Sequence, residues 1–485
     1  MKLKNIYKLL FVFVLLYGCN DEDIFQQDPD STVIENFFQT EGEFELAMRG
    51  AMRTMKATGY YGGSGSSSDL IIVGDLLADN LIINPEGRTS NLQSHNWLYN
   101  DNTAPSILYN RAYSAVSRAN VILQNLGNLP DGAFKDQIKA EALALRAAMH
   151  FDVARFYSKI PTQSADANGS LGIAYLEAFD PTAAPARLET VAEVYEKINT
   201  DLTEAVALIG AGSGETGRFD LNSIRGLISR VALHQGDYPR VIQFSQPVVT
   251  AVAPAPASGL ASLWTSASSP GVLFELPFIV SDGLLDSNYS QGAGASIIVE
   301  YNVDKAFYDL YDQTTEPERT NAYFQIVNNW IVCNKYINGA LQTGLNNGRY
   351  LRVEEVILNL AEAQYFTNPG SALATLDILR NARYSSFTGG ETGDALFNAI
   401  MLERRKELAF ESSDRWFTLK RLQGVSGIPA MHTQGVQRSG NGYLADGTGT
   451  VQAQLTLAAG NFKWQLPIQQ SVIDENPNIE QNPDY

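Results

Sequence analysis

The sequence predicts a mostly α-helical protein, a scaffold of paired helices carrying irregular loops and short β-strands. Three observations carry that prediction. Apolar residues recur at helical spacing through much of residues 41–250 and again from 349 to 412. Tight glycine-containing turns separate successive helical runs. Between them, residues 251–350 are richer in Pro, Gly and Ser, and short β-like runs replace the helical period.

The elements follow in order. Phe44, Leu46, Ala47, Ala51 and Met55 predict a helix from Glu41 to about Thr58. Gly59 to Ser68 is Gly/Ser-rich and reads as a flexible loop; Asp69–Asn80 is helical again. Pro105 suits the first turn of a helix reaching about Leu126. Phe134–Tyr157 is apolar nearly all round, the mark of a buried helix. Further helices are expected at Leu188–Ile209, Leu221–Gln235 and Tyr238–Val249. Around Gly236-Asp237-Tyr238, with the small residues Gly226 and Ala232 before it, the pattern is a helix–turn–helix of tetratricopeptide type. Such pairs stack into a curved scaffold that holds loops rigidly.

Val272–Leu276, Ile297–Tyr301 and Asn329–Tyr336 are strand candidates in a loop-rich layer, a natural place for a ligand surface. Helical pattern returns at Arg349–Phe366, Ala372–Asn381 and Ala395–Ser412. Residues 424–460 are a Gly/Thr/Gln-rich excursion. The expected organisation is a leader over residues 1–18, a tether over 19–40, a helical part over 41–250 and a loop-bearing second part over 251–485.

The N-terminus carries its own signal. Lys2, Lys4 and Lys8 precede an apolar stretch, Leu9–Leu16, too short to span a bilayer. Leu15-Leu16-Tyr17-Gly18-Cys19 then fits a bacterial lipobox, which predicts cleavage before Cys19 and acylation of its sulfur and amine. Each buried acyl methylene contributes about 0.8 kcal/mol, so several chains make a durable membrane anchor. Loss of residues 1–18 leaves 32 basic against 53 acidic residues, a net charge of −21. That balance argues against a nucleic-acid partner, whose phosphates need a broad basic face to neutralise them. With Cys19 lipidated, Cys333 is the one thiol left, and its apolar run reads as strand interior.

Enzyme signals are thin, and no catalytic residue, metal or cofactor is expected. The four histidines, His95, His150, His234 and His432, stand at no metal-ligand spacing. No nucleophile elbow, Walker loop or dinucleotide fingerprint is present, and Gly62-Gly63-Ser64-Gly65 lacks the strand and helix of a phosphate cradle. Glu403, Glu407 and Glu411 fall at i, i+4 and i+8, so three carboxylates are expected on one helix face. A hydrolase would use two of them as acid and base. Interleaved Arg404, Arg405 and Arg415 favour a structural network of Arg–carboxylate forks instead. His150, on the buried helix, reads as a core histidine.

Sugar recognition needs aromatic faces ringed by amide, carboxylate and Arg groups. Three loops offer this. One holds Arg88, His95, Asn96, Trp97 and Tyr99; a second holds Tyr289 and Tyr301 with Asp286 and Asn288; a third is Asn328-Asn329-Trp330. Trp264, Trp416 and Trp464 read as core.

Two charged stretches and the tail resemble a known family. Leu402 to Arg421 is similar to "E-R-R-x-E-L-A-F-E-G-x-R-W-x-D-L-x-R", departing at Ser412-Ser413 and Thr418. Tyr350 to Ala363 is similar to "Y-R-x-A-E-x-x-L-N-x-A-E-A", and its Arg352, Glu355 and Glu362 are expected to form buried ion pairs with the arginines of the charged run. Lys463-Trp464-Gln465-Leu466-Pro467 and the polar, twice proline-broken tail Asn476–Tyr485 complete the pattern. The chain thereby resembles the SusD/RagB family of surface lipoproteins. The resemblance implies capture of an oligosaccharide or polysaccharide, or in the alternative of peptides, for a SusC-like TonB-dependent outer-membrane barrel. It implies binding without catalysis, and an aromatic ligand arc that includes the loop just ahead of the first paired helix, where Trp97 lies. Asp21, Glu22 and Asp23 behind Cys19 resemble the export signal of such lipoproteins, implying an outer-membrane anchor facing the cell exterior.

Overall fold

Side-chain caps set the starts of several helices. The computed structural model describes residues 37–62, 69–291, 296–450 and 455–485. The predicted leader, Cys19, most of the acidic tether and the Gly63–Ser68 part of the first loop lie outside the described residues. Helix α1 (Glu41–Arg53) starts at a capping box of Thr40 and Glu43 and ends in a short turn at Thr54–Lys56. Helix α2 (Asp69–Leu77) is buried along its whole length.

Helix α3 (Leu108–Asn125) begins three residues beyond Pro105. Asp69 explains the delay: its carboxylate accepts from the Ile107 amide (2.6 Å) and the Ser106 hydroxyl (2.7 Å), and Ser106 Oγ accepts from the Leu108 amide (3.1 Å). Those bonds satisfy the first free amides of the helix. Helix α4 (Ala133–Tyr157) is enclosed on every side from Ala140 onward. Helix α5 (Val191–Leu208) has a Thr190/Glu193 capping box.

Helices α6 (Leu221–Gln235) and α7 (Tyr238–Ala251) meet at Gly236, whose φ of +71° ends α6 with a hydrogen bond from the Asp237 amide back to the Ala232 carbonyl (3.0 Å). Asp237 then caps α7 by accepting from the Arg240 amide (3.1 Å). Gly226 matters for packing: a Cβ there would sit 2.7 Å from Leu351 Cδ2. Helices α8 (Val353–Thr367), α9 (Pro369–Asn381), α10 (Gly393–Glu407) and α11 (Asp414–Arg421) complete the scaffold. Helix α4 packs on α3 and α5, α6 on α7, and α8 between α7 and α9. The expected helix-pair architecture is the observed one.

Ten short strands form five antiparallel pairs among the described residues. They are β1 (Leu81–Ile83) with β5 (Tyr301–Val303), β2 (Val272–Leu276) with β8 (Gly348–Arg352), β3 (Ser290–Gln291) with β4 (Ile298–Val299), β6 (Phe324–Val327) with β7 (Trp330–Cys333), and β9 (Gly435–Gln437) with β10 (Thr456–Ala458). Arg349–Arg352, expected as the start of a helix, is strand because it pairs with β2. Helix α10 ends before Glu411, because Phe410, Ser412 and Ser413 adopt φ of +65°, +49° and +56°. The three carboxylates therefore do not share one helix face.

The tail acts as a strap. Asn482 Nδ2 donates to the carbonyls of Tyr157 and Leu466, each at 2.7 Å, Asn476 Nδ2 to Pro185 (2.9 Å) and Tyr485 Oη to Gln465 (3.0 Å). Its amide side chains satisfy the last carbonyl of α4 and carbonyls in the loops beside it.

Candidate functional site

The loop leaving β1 is fixed by its own side chains. Asn84 Nδ2 donates to the Val299 carbonyl (2.8 Å), and its backbone amide donates to the Glu300 carbonyl (3.1 Å). Glu300 is buried and accepts from the Ser90 amide (2.8 Å) and Arg88 Nε (3.4 Å). Burial opposes ionisation of this carboxyl, and the bonds from Ser90 and Arg88 outweigh it and lower its pKa. The Arg88 side chain remains 59% exposed. Tyr301 is buried; its hydroxyl donates to the Ser90 carbonyl (3.3 Å) and accepts from Asn91 Nδ2 (2.9 Å). Tyr289 is also buried, donating to the Ile71 carbonyl (3.2 Å) with its ring parallel to Tyr336.

The hairpin of β6 and β7 turns through Asn328-Asn329, both at positive φ (54° and 63°), the pattern of a type I′ turn. Its exposed tip touches the 443–446 loop: the Ala445 amide donates to the Asn329 carbonyl (2.7 Å), and Asn329 Nδ2 reaches Asp446 Oδ2 at 3.4 Å. The same loop bonds Glu86 through the Tyr443 hydroxyl. It thus joins the Arg88 loop to the hairpin in one surface. Trp330 is half-buried, packed on Ile297, Val299, Val332 and Ile337, with its indole N–H enclosed and unbonded among the described residues. Of the five tryptophans, Trp330 alone is not buried.

Trp97 and His95 are placed differently from the expected open loop. Helix α2 is buried, so its last carbonyls cannot be hydrated and need protein donors. Trp97 Nε1 donates to Leu77 (3.0 Å), His95 Nδ1 lies 3.0 Å from the Leu76 oxygen, and Arg438 donates to Ala78 (3.0 Å) and Leu76 (3.1 Å). The Arg438 guanidinium also covers the Trp97 ring, 4.1 Å from its centre. Trp97 is only 8% exposed, and the expectation of an open ring there is corrected. Asn96, at the end of the short helix Leu92–His95, stays partly exposed. Glu86, Glu300, Tyr443 and Asp446 were not singled out from sequence. They belong to the surface through contacts between segments far apart in the chain, which no local pattern announces.

The carboxylate run is a buried, charge-matched network. Arg319, Arg352, Arg383, Lys335 and Lys406 interdigitate with Glu316, Glu354, Glu403, Glu407 and Glu411. Glu407 accepts from Arg383 Nε and Nη2, each at 2.7 Å, and from Arg352 Nη1 at 3.1 Å. Burial works to raise its pKa, but Arg383, Arg352 and Arg319 hold it well below the usual carboxylate range. A group so clamped is ill suited to exchange protons as acid or base. The expected partners differ in part. Glu362 meets an arginine of the run, Arg421, whereas Arg352 pairs with its carboxylates Glu407 and Glu411, and Glu355 pairs with Arg230 on α6. His150 accepts from the Leu176 amide (3.0 Å) in the core, and Trp264, Trp416, Trp464 and Cys333 are buried as expected.

Two family models match the chain: one described as "Starch-binding associating with outer membrane" over residues 68–233, and one described as "SusD family" over residues 284–485. SusD-like protein P2 of Formosa agariphila is 25% identical over 475 residues, 86% of this chain and 90% of its own. A SusD superfamily protein of Bacteroides thetaiotaomicron superposes with a TM-score of 0.76 at 23% identity, covering 92% of this chain and 100% of that one. Surface glycan-binding protein A of Bacteroides uniformis superposes with a TM-score of 0.72 at 17% identity, covering 91% and 99%. Scaffold, charged network and strapped tail together carry the assignment: the chain belongs to the SusD family.

Proposed function

We propose that the protein is a surface glycan-binding lipoprotein, anchored in the outer membrane through Cys19, that captures oligo- or polysaccharide and delivers it to a SusC-like TonB-dependent barrel. The observation that carries the binding part is Trp330: among five tryptophans it alone is not buried, and it lies in the surface that also carries the exposed Arg88, Asn329 and Asp446. An indole face takes the C–H side of a sugar, and the amide, carboxylate and guanidinium groups take its hydroxyls. Tyr289, Tyr301, His95 and Trp97 hold the loops from beneath. The matching family's association with starch binding and the outer membrane, and the name of the Bacteroides uniformis relative, support a glycan as cargo and the outer membrane as location.

Capture and release then make or break no bond. A lipid tether beside the barrel raises the local concentration of loaded protein, so modest affinity suffices. Affinity electrophoresis of the unlipidated protein against a panel of polysaccharides and peptides tests the cargo. Retardation by at least one neutral polysaccharide is expected; retention by peptides alone would refute the glycan reading. Co-purification of a barrel transporter with the lipidated protein, and its surface accessibility to protease on intact cells, test the remainder.

A further inference from the structure

The chain carries 53 acidic and 35 basic residues, yet one concave surface is basic. It lies between α1, the turn after it and α3, has a volume of about 440 Å³, and is lined by Arg53, Lys56, Arg111 and Arg118 with Ser114 and Thr58. The acid in its wall is Asp282, which accepts from Lys56 Nζ at 2.7 Å and Arg53 Nη2 at 3.3 Å. Lys56 also donates to the Pro277 carbonyl (2.8 Å). Two of the four cations are therefore matched.

The other two are not. Arg118 makes one long bond, to the Gly50 carbonyl at 3.3 Å, and the Arg111 guanidinium has no partner among the described residues. Arg111 lies where the turn after α1 closes on α3. Gly59, at φ +89°, lets the following turn close on α3, where a Cβ would stand 2.4 Å from Ile107 Cγ1 and 3.3 Å from Arg111 Cγ. The wall shares no residue with the surface around Trp330.

We propose that this basin binds the oxyanion of a carboxylated or sulfated sugar unit, held by Arg111 and Arg118, with Ser114 and Thr58 taking ring hydroxyls. Guanidinium forks match carboxylate and sulfate geometry and form charge-assisted hydrogen bonds. That the oxyanion rides on a sugar rests on the glycan-binding reading above; the preference for an oxyanion does not.

The test is isothermal titration of the unlipidated protein with glucuronate and galactose 6-sulfate, with glucose and inorganic sulfate as controls. Binding of the two acidic sugars is expected at low salt, weakening about tenfold by about 0.3 M NaCl as screening sets in. The double variant Arg111→Gln/Arg118→Gln should lose it, while its thermal midpoint and its binding of neutral polysaccharide stay unchanged. Unaltered glucuronate affinity in that variant, or no binding at low salt, overturns the proposal. Inorganic sulfate binding as tightly as the sulfated sugar overturns the sugar assignment. Arginine-dependent glucuronate binding in a protein that retains no neutral polysaccharide supports the basin and counts against the Trp330 surface instead.

Discussion

The ionic interior of the second half and the loop surface above it use the same residue types in opposite ways. Inside, five cations meet five carboxylates with no side chain left over, in a region closed to water. Outside, Arg88 is bonded at one nitrogen and otherwise open, the Asn329 amide reaches Asp446 only at 3.4 Å, and Trp330 is partly exposed. Matched groups specify the fold; half-matched groups on a fixed frame are available to a ligand. The same distinction separates Trp97, whose N–H and ring face are both occupied, from Trp330.

That contrast can be broken at either end. The largest effect is expected at the centre of the network. Glu407→Ala leaves the buried Arg319, Arg352 and Arg383 one carboxylate short and should cost about 3–5 kcal/mol in urea denaturation. Next, Trp97→Ala should cost about 3 kcal/mol of stability, while polysaccharide affinity measured below its melting temperature stays at the wild-type value. An affinity loss without destabilisation would return Trp97 to the ligand surface.

A pH effect of intermediate size is expected from His150. Burial, aided by the nearby Arg146, lowers its pKa to about 3 from 6.5. The unfolded chain therefore takes up a proton below pH 6.5 that the folded chain refuses, and stability falls with acidification by about 1.4 kcal/mol per pH unit in that window. Wild type should thus lose about 2 kcal/mol more than His150→Gln between pH 6.5 and pH 5, measured by denaturant titration. The smallest stability effect belongs to the surface: Arg88→Ala should change it by less than about 1 kcal/mol while weakening polysaccharide binding several-fold.

Much of the scaffold was legible because its signals are local. Asp220 and Gly236 cap α6 at the residues where the pattern placed its ends, and β2 was read in full. Arg349–Arg352 was misread, because its strand state depends on pairing with β2, more than 70 residues earlier. Partners inside the charge network were misassigned for the same reason: Glu355 meets Arg230, 125 residues away. The site was legible as three loops but not as orientations. Whether an indole faces solvent or closes a buried helix, as Trp97 does for α2, depends on carbonyls 20 residues earlier that only the folded chain brings near.

The most direct measurement is affinity electrophoresis of wild type, Trp330→Ala and Trp97→Phe on a gel containing a polysaccharide that retards the wild type. Trp330→Ala should run free of retardation while Trp97→Phe is held like the wild type. Undiminished retardation of Trp330→Ala, with Trp97→Phe released, would place the sugar on the ring that the structure shows to be covered and contradict the division between matched and open groups.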